Sequence, residues 1–155
     1  QEGYERGDVV ANTPGMRIEV VCPTYSASGS NERSMMLRIE AQGVTILAAG
    51  DVPIENEVHT GVDCDILKVA HHGSAGSTSA QLLRAASPSL ALISVGNNAY
   101  GHPADALLAR LHEAGIPALR TDEAGAIEIG MHGGAYTVRR YVQDRGALYD
   151  ASGIL

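Results

Sequence analysis

Asp51, His71 and His72 are the side chains of this sequence best suited to metal-assisted chemistry. Each follows a short apolar run: residues 44–49 lead into Gly50 and Asp51, and residues 65–70 lead into the two histidines. Apolar runs of this length are typical of buried strands, and open α/β sheets place ligand-binding residues beyond the carboxyl ends of their strands. Carboxylate oxygen and imidazole nitrogen suit a divalent ion such as zinc or manganese. The pattern therefore predicts a metal site at one edge of a sheet.

A third apolar run, residues 90–95, ends in the same way, in a polar loop that includes Asn98, Tyr100 and His102. Three successive predicted strands thus present polar groups at one edge of the sheet. The residues alone also allow a plainer interpretation, in which Gly50-Asp51 is only a turn and His71-His72 a polar loop whose hydrogen bonds are satisfied.

Length and composition limit the function classes. A chain of 155 residues suggests one domain with a real core, and no apolar stretch approaches the roughly 18 residues of a membrane helix. The net charge of −7 argues against a broad, non-specific nucleic-acid surface, and the absence of Phe and Trp argues against aromatic stacking as the main way of binding bases. Cys22 and Cys64 lack the spacing of a disulfide framework or a zinc ribbon and are predicted to be buried thiols.

The elements that must position the site form a mixed sheet. Strands are predicted at residues 7–11 and 16–22, and a hairpin around Gln42-Gly43 joins 35–41 to 44–49. After a short helix over 53–59, strands at 65–69, 90–95 and 116–120 alternate with helices that begin near Ser79 and Pro103, a series typical of parallel strands. A final hairpin pairs 126–131 with 136–141, and residues 142–155 are an unassigned tail.

Five motifs in this order resemble the metallo-β-lactamase-type domain of the competence protein ComEC. They are Asn31-Glu32-Arg33-Ser34, Leu47-Ala48-Ala49-Gly50-Asp51, Leu67-Lys68-Val69-Ala70-His71-His72-Gly73-Ser74, Tyr100-Gly101-His102-Pro103 and Arg120-Thr121-Asp122-Glu123-Ala124-Gly125-Ala126. Each motif alone is weak, but their order and spacing make a chance match unlikely. The resemblance implies the C-terminal portion of an α/β, four-layer αββα sandwich, with a mixed sheet, helices on one face and two metal ions at the strand ends.

The resemblance also implies roles for particular residues. Asp51 corresponds to the catalytic carboxylate that bridges two divalent metal ions, zinc or manganese, and His71 to the last histidine ligand, ahead of His72. His102 would lie near the substrate and stabilise or protonate the leaving group. The side chains expected to order the loops or touch substrate are His72, Ser74, Asn31, Ser34 and Tyr100. The implied reaction is attack of a metal-bound hydroxide on phosphorus, with DNA as the substrate.

The chain departs from the family pattern at one point. The upstream His-x-His-x-Asp-His motif, which supplies most metal ligands in this family, is absent, since no histidine precedes His59. Residues 1–141 are therefore predicted to be a partial domain, inactive alone, whose N-terminal half would supply the other ligands and the facing sheet. Without that half the chain would expose an apolar face, form a homodimer or swap strands.

The sequence leaves three alternatives open. The chain could be a degenerate member that has lost the metal site, a non-catalytic binding or structural module on the same fold, or a hydrolase of small phosphoesters. The implied parent is an inner-membrane protein of DNA uptake in which this domain is a soluble part.

Overall fold

The structure is a computed structural model that describes residues 4–22, 34–144 and 147–150. Its main element is a seven-stranded sheet with the strands in sequential order. The strands are β1 Val9–Thr13, β2 Met16–Cys22, β3 Met36–Ala41, β4 Val44–Ala48, β5 Ile66–Lys68, β6 Leu90–Ile93 and β7 Ala118–Arg120. The predicted strand at 7–11 is shifted to Val9–Thr13, and the loop at 23–33, which contains Asn31, lies outside the described residues.

The sheet is mixed, as predicted. β1 to β4 pair antiparallel, and β4 to β7 pair parallel. The β3–β4 hairpin turns through Gln42 and Gly43, both with positive φ (52° and 81°), in agreement with the turn expected there. Because β4, β5, β6 and β7 run in the same direction, the segments that follow them emerge at one edge of the sheet.

Helices α1 Ala80–Ala86 and α2 Asp105–Glu113 cover one face of this sheet. A short helix, α3 Thr121–Ala124, follows β7 and contacts the strands at Ala126–His132 and Ala135–Asp144, and 3₁₀ helices lie at Ile54–Asn56 and Ala70–Gly73. α1 begins at Ser79, whose Oγ accepts a hydrogen bond from the backbone N–H of Leu82 at 3.0 Å. Leu82 on α1 and Leu107 on α2 are fully buried with Leu67 of β5 in the larger core cluster. The helix predicted over 53–59 is reduced to Ile54–Asn56.

A three-stranded sheet packs against the other face. It has the order β10-β9-β8 and consists of β8 Ala126–His132, β9 Ala135–Asp144 and β10 Ala147–Asp150. Ile129 and Val138 of this sheet pack against buried Val44, Ile66 and Leu90.

This second sheet adds to what the sequence indicated. Within residues 142–155, which the sequence left unassigned, β9 continues to Asp144 and β10 follows it. The facing layer does not come wholly from another segment, because β8 and β9 bury apolar side chains on that face. The layers nevertheless agree with the α/β sandwich that was predicted. Among the described residues, no helix has the length and apolar character needed to cross a membrane.

Candidate functional site

A backbone hydrogen bond joins the loops that carry Asp51 and His71. β4 ends at Ala48 and β5 at Lys68, and the parallel ladder continues past both ends, because the N–H of Ala49 donates to the carbonyl of Lys68 at 3.2 Å. The N–H of His71 then donates to the carbonyl of Gly50 at 2.9 Å. Asp51 and His71, far apart in sequence, are thus held on adjacent loops by the main chain alone.

The two histidines occupy an unusual backbone conformation. His71 and His72 have φ values of 47° and 52°, in the left-handed region that non-glycine residues rarely adopt. Neighbouring hydrogen bonds support this conformation: the N–H of Ala70 donates to Thr78 Oγ1 at 3.1 Å, and the N–H of Ser74 donates to the carbonyl of His71 at 2.9 Å. Strained backbone that its surroundings enforce is common at functional sites.

The imidazoles of His71 and His72 have different surroundings. Nδ1 of His72 lies 2.7 Å from the carbonyl oxygen of Ser94, which can only accept, so Nδ1 carries the proton and donates it. The ring of His71 instead lies edge-on to the ring of His102, with centroids 5.5 Å apart and an interplanar angle of 70°. Among the predicted side chains, His71 and His102 are therefore brought together, and His72 is tethered to the chain after β6.

The His102 loop is seated on Gly73. The N–H of Ala104 donates to the carbonyl of Gly73 at 2.9 Å, and a Cβ at Gly73 would lie 2.6 Å from Pro103 Cβ. Only glycine allows this approach, and its φ of +89° also favours glycine. The peptide bond between His102 and Pro103 is cis.

Asn98 and Tyr100 complete the loop around His102. The carboxamide of Asn98 accepts from the N–H groups of Tyr100 and His102, both at 3.0 Å, and donates to the carbonyl of His102 at 2.7 Å. The ring of Tyr100, which is 85% exposed, stacks on His102 with centroids 6.1 Å apart. Nδ1 of His102 is buried and has no hydrogen-bond partner among the described residues.

The remaining predicted loop residues have more local surroundings. Ser74 Oγ accepts from the N–H of Gly76 at 3.2 Å, which shapes the loop after the histidines. Ser34 lies beside Gly50, where an added Cβ would meet Ser34 Cβ at 3.3 Å and the carbonyl oxygen of Met35 at 2.7 Å. Asn31 lies outside the described residues.

Sequence reasoning missed the parts played by Gly73 and Asn98. In the sequence, Asn98 stood out only as one member of a polar loop. Asparagine is nevertheless common in loops, because its side chain can form hydrogen bonds with nearby backbone groups. The approach of Pro103 to Gly73 joins segments about 30 residues apart, and nothing local in the sequence indicates it.

Lys68 is a charged neighbour of the site and the only lysine of the chain. Burial lowers the pKa of its ammonium group, and the carboxylate of Asp51 acts in the opposite direction by favouring the charged form. The ammonium group of Lys68 and the carboxylate of Asp51 are therefore close enough to interact at this edge of the sheet.

The carboxylate and imidazole groups at this edge are suitable ligands for a metal ion, but there are too few of them to hold two ions. Among the residues that the structure describes, no group of three His, Cys, Asp or Glu side chains comes close enough to hold an ion. A catalytic zinc usually takes three protein ligands. Asp51 and His71 thus do not fit a complete two-metal site on their own.

A surface cavity of about 370 Å³ lies elsewhere, at the turns between β1 and β2 and between β3 and β4. Its lining includes Met16, Glu40 and Val44 at the start of β4. Asp51 follows the other end of β4, so this cavity is separate from the candidate site.

Comparisons with known proteins identify the class of this chain. No family model matches it. A crystal structure of the protein named "putative metal-dependent hydrolase" from Parabacteroides distasonis superposes with a TM-score of 0.50, at 22% identity, over 74% of this chain and 55% of that protein. The likeness is one of fold. The fold is α/β and metallo-β-lactamase-like, which confirms the expected class.

Sequence relatives narrow the class further. The chain is 36% identical over 134 residues to ComE operon protein 3 of Bacillus subtilis. The matched region covers 82% of the chain and 17% of that relative. Competence protein ComA of Neisseria gonorrhoeae is 36% identical over 81% of the chain and 19% of its own length. Recombination protein 2 of Haemophilus influenzae is 28% identical over 74% of the chain. Relatives of the ComEC family thus match most of this chain, which spans only 15% to 19% of their own length.

Proposed function

We propose that this chain is the C-terminal part of a metal-dependent DNA hydrolase domain in a DNA-uptake protein of the inner membrane. The proposal is supported by one arrangement above all: the rings of His71 and His102 meet at 5.5 Å beside the loop of Asp51, at an edge where three parallel strands end. The names of the relatives point to competence, and the fold is one on which metallo-hydrolases occur.

Asp51 and His71 are proposed as one side of the metal site. Their carboxylate and imidazole groups would hold zinc or manganese together with ligands from another segment of the longer protein, since the described part of this chain brings no third ligand to them. Divalent ions at such a place neutralise charge on phosphoryl oxygens.

His102 is proposed as the general acid. Its ring lies next to that of His71, so a phosphodiester held at the metal side would have its leaving oxygen near this imidazole. As the oxygen of a water molecule bonds to phosphorus and the P–O bond to the leaving oxygen breaks, a protonated His102 would give its proton to that leaving oxygen and become neutral. Proton transfer from a positioned side chain contributes about 10²- to 10⁴-fold to a rate.

The test needs a longer form of the protein that includes the segment before this chain. We expect it to cleave DNA in the presence of Mn²⁺, Asp51→Ala and His71→Ala to reduce cleavage below detection, and His102→Ala to reduce kcat by about 10²-fold or more. Asp63→Ala is the matched control, because its side chain is 77% exposed and pairs only at the surface with Arg38. Equal cleavage by the Asp51→Ala variant would reject the assignment.

The isolated chain gives a second test. We expect it to show little or no DNA cleavage with Mn²⁺, because half of the ligands are missing. Strong metal-dependent cleavage by this chain alone would contradict the half-site proposal and would point to a homodimer or strand swap that completes the site.

A non-catalytic module on the same fold is the second candidate. The observation that favours it is the lack of a three-ligand group among the described residues, together with the net charge of −7, which opposes binding to the DNA backbone. It predicts that the longer protein binds DNA or a partner without cleaving it. Cleavage of a small phosphodiester such as bis-p-nitrophenyl phosphate, but not of DNA, would instead indicate a small-phosphoester hydrolase.

A further inference from the structure

We propose that Asn98 is the positioning residue of this site: its carboxamide holds the main chain of His102 from both sides and so presents the His102 imidazole to His71. The inference deepens the proposed function and rests on it for the catalytic consequence. Its geometric part, that Asn98 sets the place of the His102 ring, can be tested without any hydrolysis.

The carboxamide of Asn98 uses all of its hydrogen-bonding capacity within one loop. Oδ1 accepts from the N–H groups of Tyr100 and His102, both at 3.0 Å. Nδ2 donates to the carbonyl of His102 at 2.7 Å and to the carbonyl of Gly96 at 2.9 Å. A primary amide offers two donor hydrogens and two acceptor lone pairs, so all four positions are filled.

His102 receives two of these bonds directly on its own main chain. Its N–H and its C=O are both held by the same side chain. An aspartate could accept from the N–H groups but would place a second oxygen against the two carbonyls, and a glutamine would be one methylene too long. The arrangement therefore calls specifically for asparagine.

The His102 ring needs such support because little else fixes it. Residues 96–102 lie in no helix or strand, and Gly101 adopts a φ of +73°. Among the described residues, Nδ1 of His102 has no hydrogen-bond partner that could orient the imidazole. The direction of the ring thus follows from its main chain, which Asn98 holds, and from its contacts with the rings of His71 and Tyr100.

The ends of the loop are fixed separately from its centre. Thr121 Oγ1 accepts from the N–H of Val95 at 2.8 Å before the loop, and the carbonyl of Gly73 accepts from the N–H of Ala104 after it. Asn98 itself is exposed and contributes nothing to either core cluster. Substitution of Asn98 should therefore release the centre of the loop without unfolding the domain.

The first experiment uses this chain and solution NMR of its histidine rings. In the wild type we expect contacts between ring protons of His71 and His102, as their 5.5 Å centroid distance requires. In Asn98→Ala these contacts should be lost and the His102 ring signals should broaden or shift toward random-coil values. Asn97→Ala, on the exposed neighbouring residue, is the matched control and should leave the signals unchanged.

Asn98→Asp tests whether the hydrogen bonds of Asn98, and not the volume of its side chain, position His102. The substitution keeps the shape of the side chain and removes both N–H donors. We expect it to disturb the His102 signals nearly as much as Asn98→Ala. Unchanged contacts between the two rings in both variants would overturn the proposal. If Asn98→Ala did not fold, the isosteric Asn98→Asp variant would decide the question alone.

The second experiment measures the catalytic consequence in the longer protein. We expect Asn98→Ala to lower kcat by about 10- to 100-fold with KM changed less than about threefold, because a displaced general acid affects the transition state more than substrate binding. A rise in KM alone, with full kcat, would overturn the positioning role. If the wild-type protein cleaved nothing, the proposed function would fail while the NMR result would still decide the placement of His102.

Discussion

The carbonyl oxygen of Gly50 lies 2.9 Å from the backbone nitrogen of His71 and accepts its hydrogen bond. This bond extends the parallel pairing of β4 and β5 beyond the last residues of both strands, to the positions that carry the chemistry. Gly50 has a φ of +55°, and a Cβ there would lie 2.7 Å from the carbonyl oxygen of Met35, so the residue before Asp51 has to be glycine. The relative place of Asp51 and His71 is therefore a property of the main chain.

The contact between Gly73 and Pro103 gives a prediction for stability. Gly73→Ala would place Cβ 2.6 Å from Pro103 Cβ and 2.9 Å from Pro103 Cα, at a φ of +89°. Backbone strain and overpacking each cost about 1 to 3 kcal/mol, so we expect the free energy of unfolding to fall by about 2 to 6 kcal/mol. Urea unfolding followed by circular dichroism measures it.

Gly76→Ala is the matched control for this substitution. Its φ is not in the left-handed region, and the nearest atom to an added Cβ is Ser74 Oγ at 3.8 Å. We expect a change within about 0.5 kcal/mol, as for an ordinary surface position. An equal loss of stability in both variants would show that loop rigidity, and not the Pro103 contact, is responsible.

The main features of the site edge could be predicted from sequence because they depend on local patterns. Apolar runs of strand length, each ending in polar residues, indicated the strands that end near Asp51, His71 and His102. Alternation with helices indicated that these strands are parallel, so their ends had to lie at one edge. The hairpin at Gln42-Gly43 followed from turn chemistry.

The rest depended on contacts between distant segments. The packing of Ile129 and Val138 onto the sheet arises from burial against β4, β5 and β6, which no window of local sequence reports. At its far end, β9 pairs with β10 through the backbone up to Asp144. The 3₁₀ helix at Ile54–Asn56 is likewise joined to a distant segment, since the N–H of Ile54 donates to the carbonyl of Gly76 at 2.9 Å.

Thr121 links α3 to the end of β6 through its hydroxyl. Oγ1 accepts from the N–H of Val95 at 2.8 Å and donates to the carbonyl of Val95 at 2.7 Å. Thr121→Val keeps the shape and leaves the N–H of a buried residue without this partner, so we expect a loss of about 1 to 3 kcal/mol in the free energy of unfolding. Chemical denaturation measures the loss, and hydrogen exchange at Val95 should accelerate.

Thr121→Ser distinguishes the effect of the hydroxyl from that of the methyl group, because serine keeps the hydroxyl and lacks the methyl group. We expect it to retain most of the stability and the slow exchange of the Val95 amide. If Thr121→Ser were as damaging as Thr121→Val, packing of the methyl group would explain the effect instead.

The buried thiol of Cys64 gives a prediction for the pH dependence of stability. Burial raises its pKa from 9.0 to about 12. Above pH 9 the unfolded chain loses this proton while the folded chain keeps it, so the folded state binds more protons and stability falls as pH rises from about 9 toward 12. Below pH 9 the contribution of the protonated Cys64 thiol to the free energy of unfolding is fully present. We expect the unfolding free energy to be lower at pH 10 than at pH 8.

Cys64→Ala isolates this contribution from the titration of other groups. The variant should be less stable at pH 8, because the buried Sγ is removed, but its stability should fall less between pH 8 and pH 10 than that of the wild type. Lys68, whose pKa is lowered by burial, acts in the opposite direction over this interval in both proteins and therefore cancels in the comparison. Parallel pH profiles would contradict the assignment to Cys64.

Metal addition tests the incomplete ligand set directly. Because the described part of this chain brings no third ligand to Asp51 and His71, we expect 1 mM Mn²⁺ to raise its Tm by less than about 1 °C and EDTA to leave it unchanged. A ligand that binds the folded state with a Kd of 1 mM adds only about 0.4 kcal/mol at that concentration.

The longer protein should behave differently in the same thermal melts. On the proposed function, a longer form that supplies the other ligands should have its Tm raised by several degrees by Mn²⁺, and Asp51→Ala should remove most of that shift while Asp63→Ala should not. A large shift in the isolated chain that Asp51→Ala abolishes would mean that two copies together, or residues outside the described ranges, complete the site. Asp51 would then still be a ligand, but the opposite side of the site would belong to this chain.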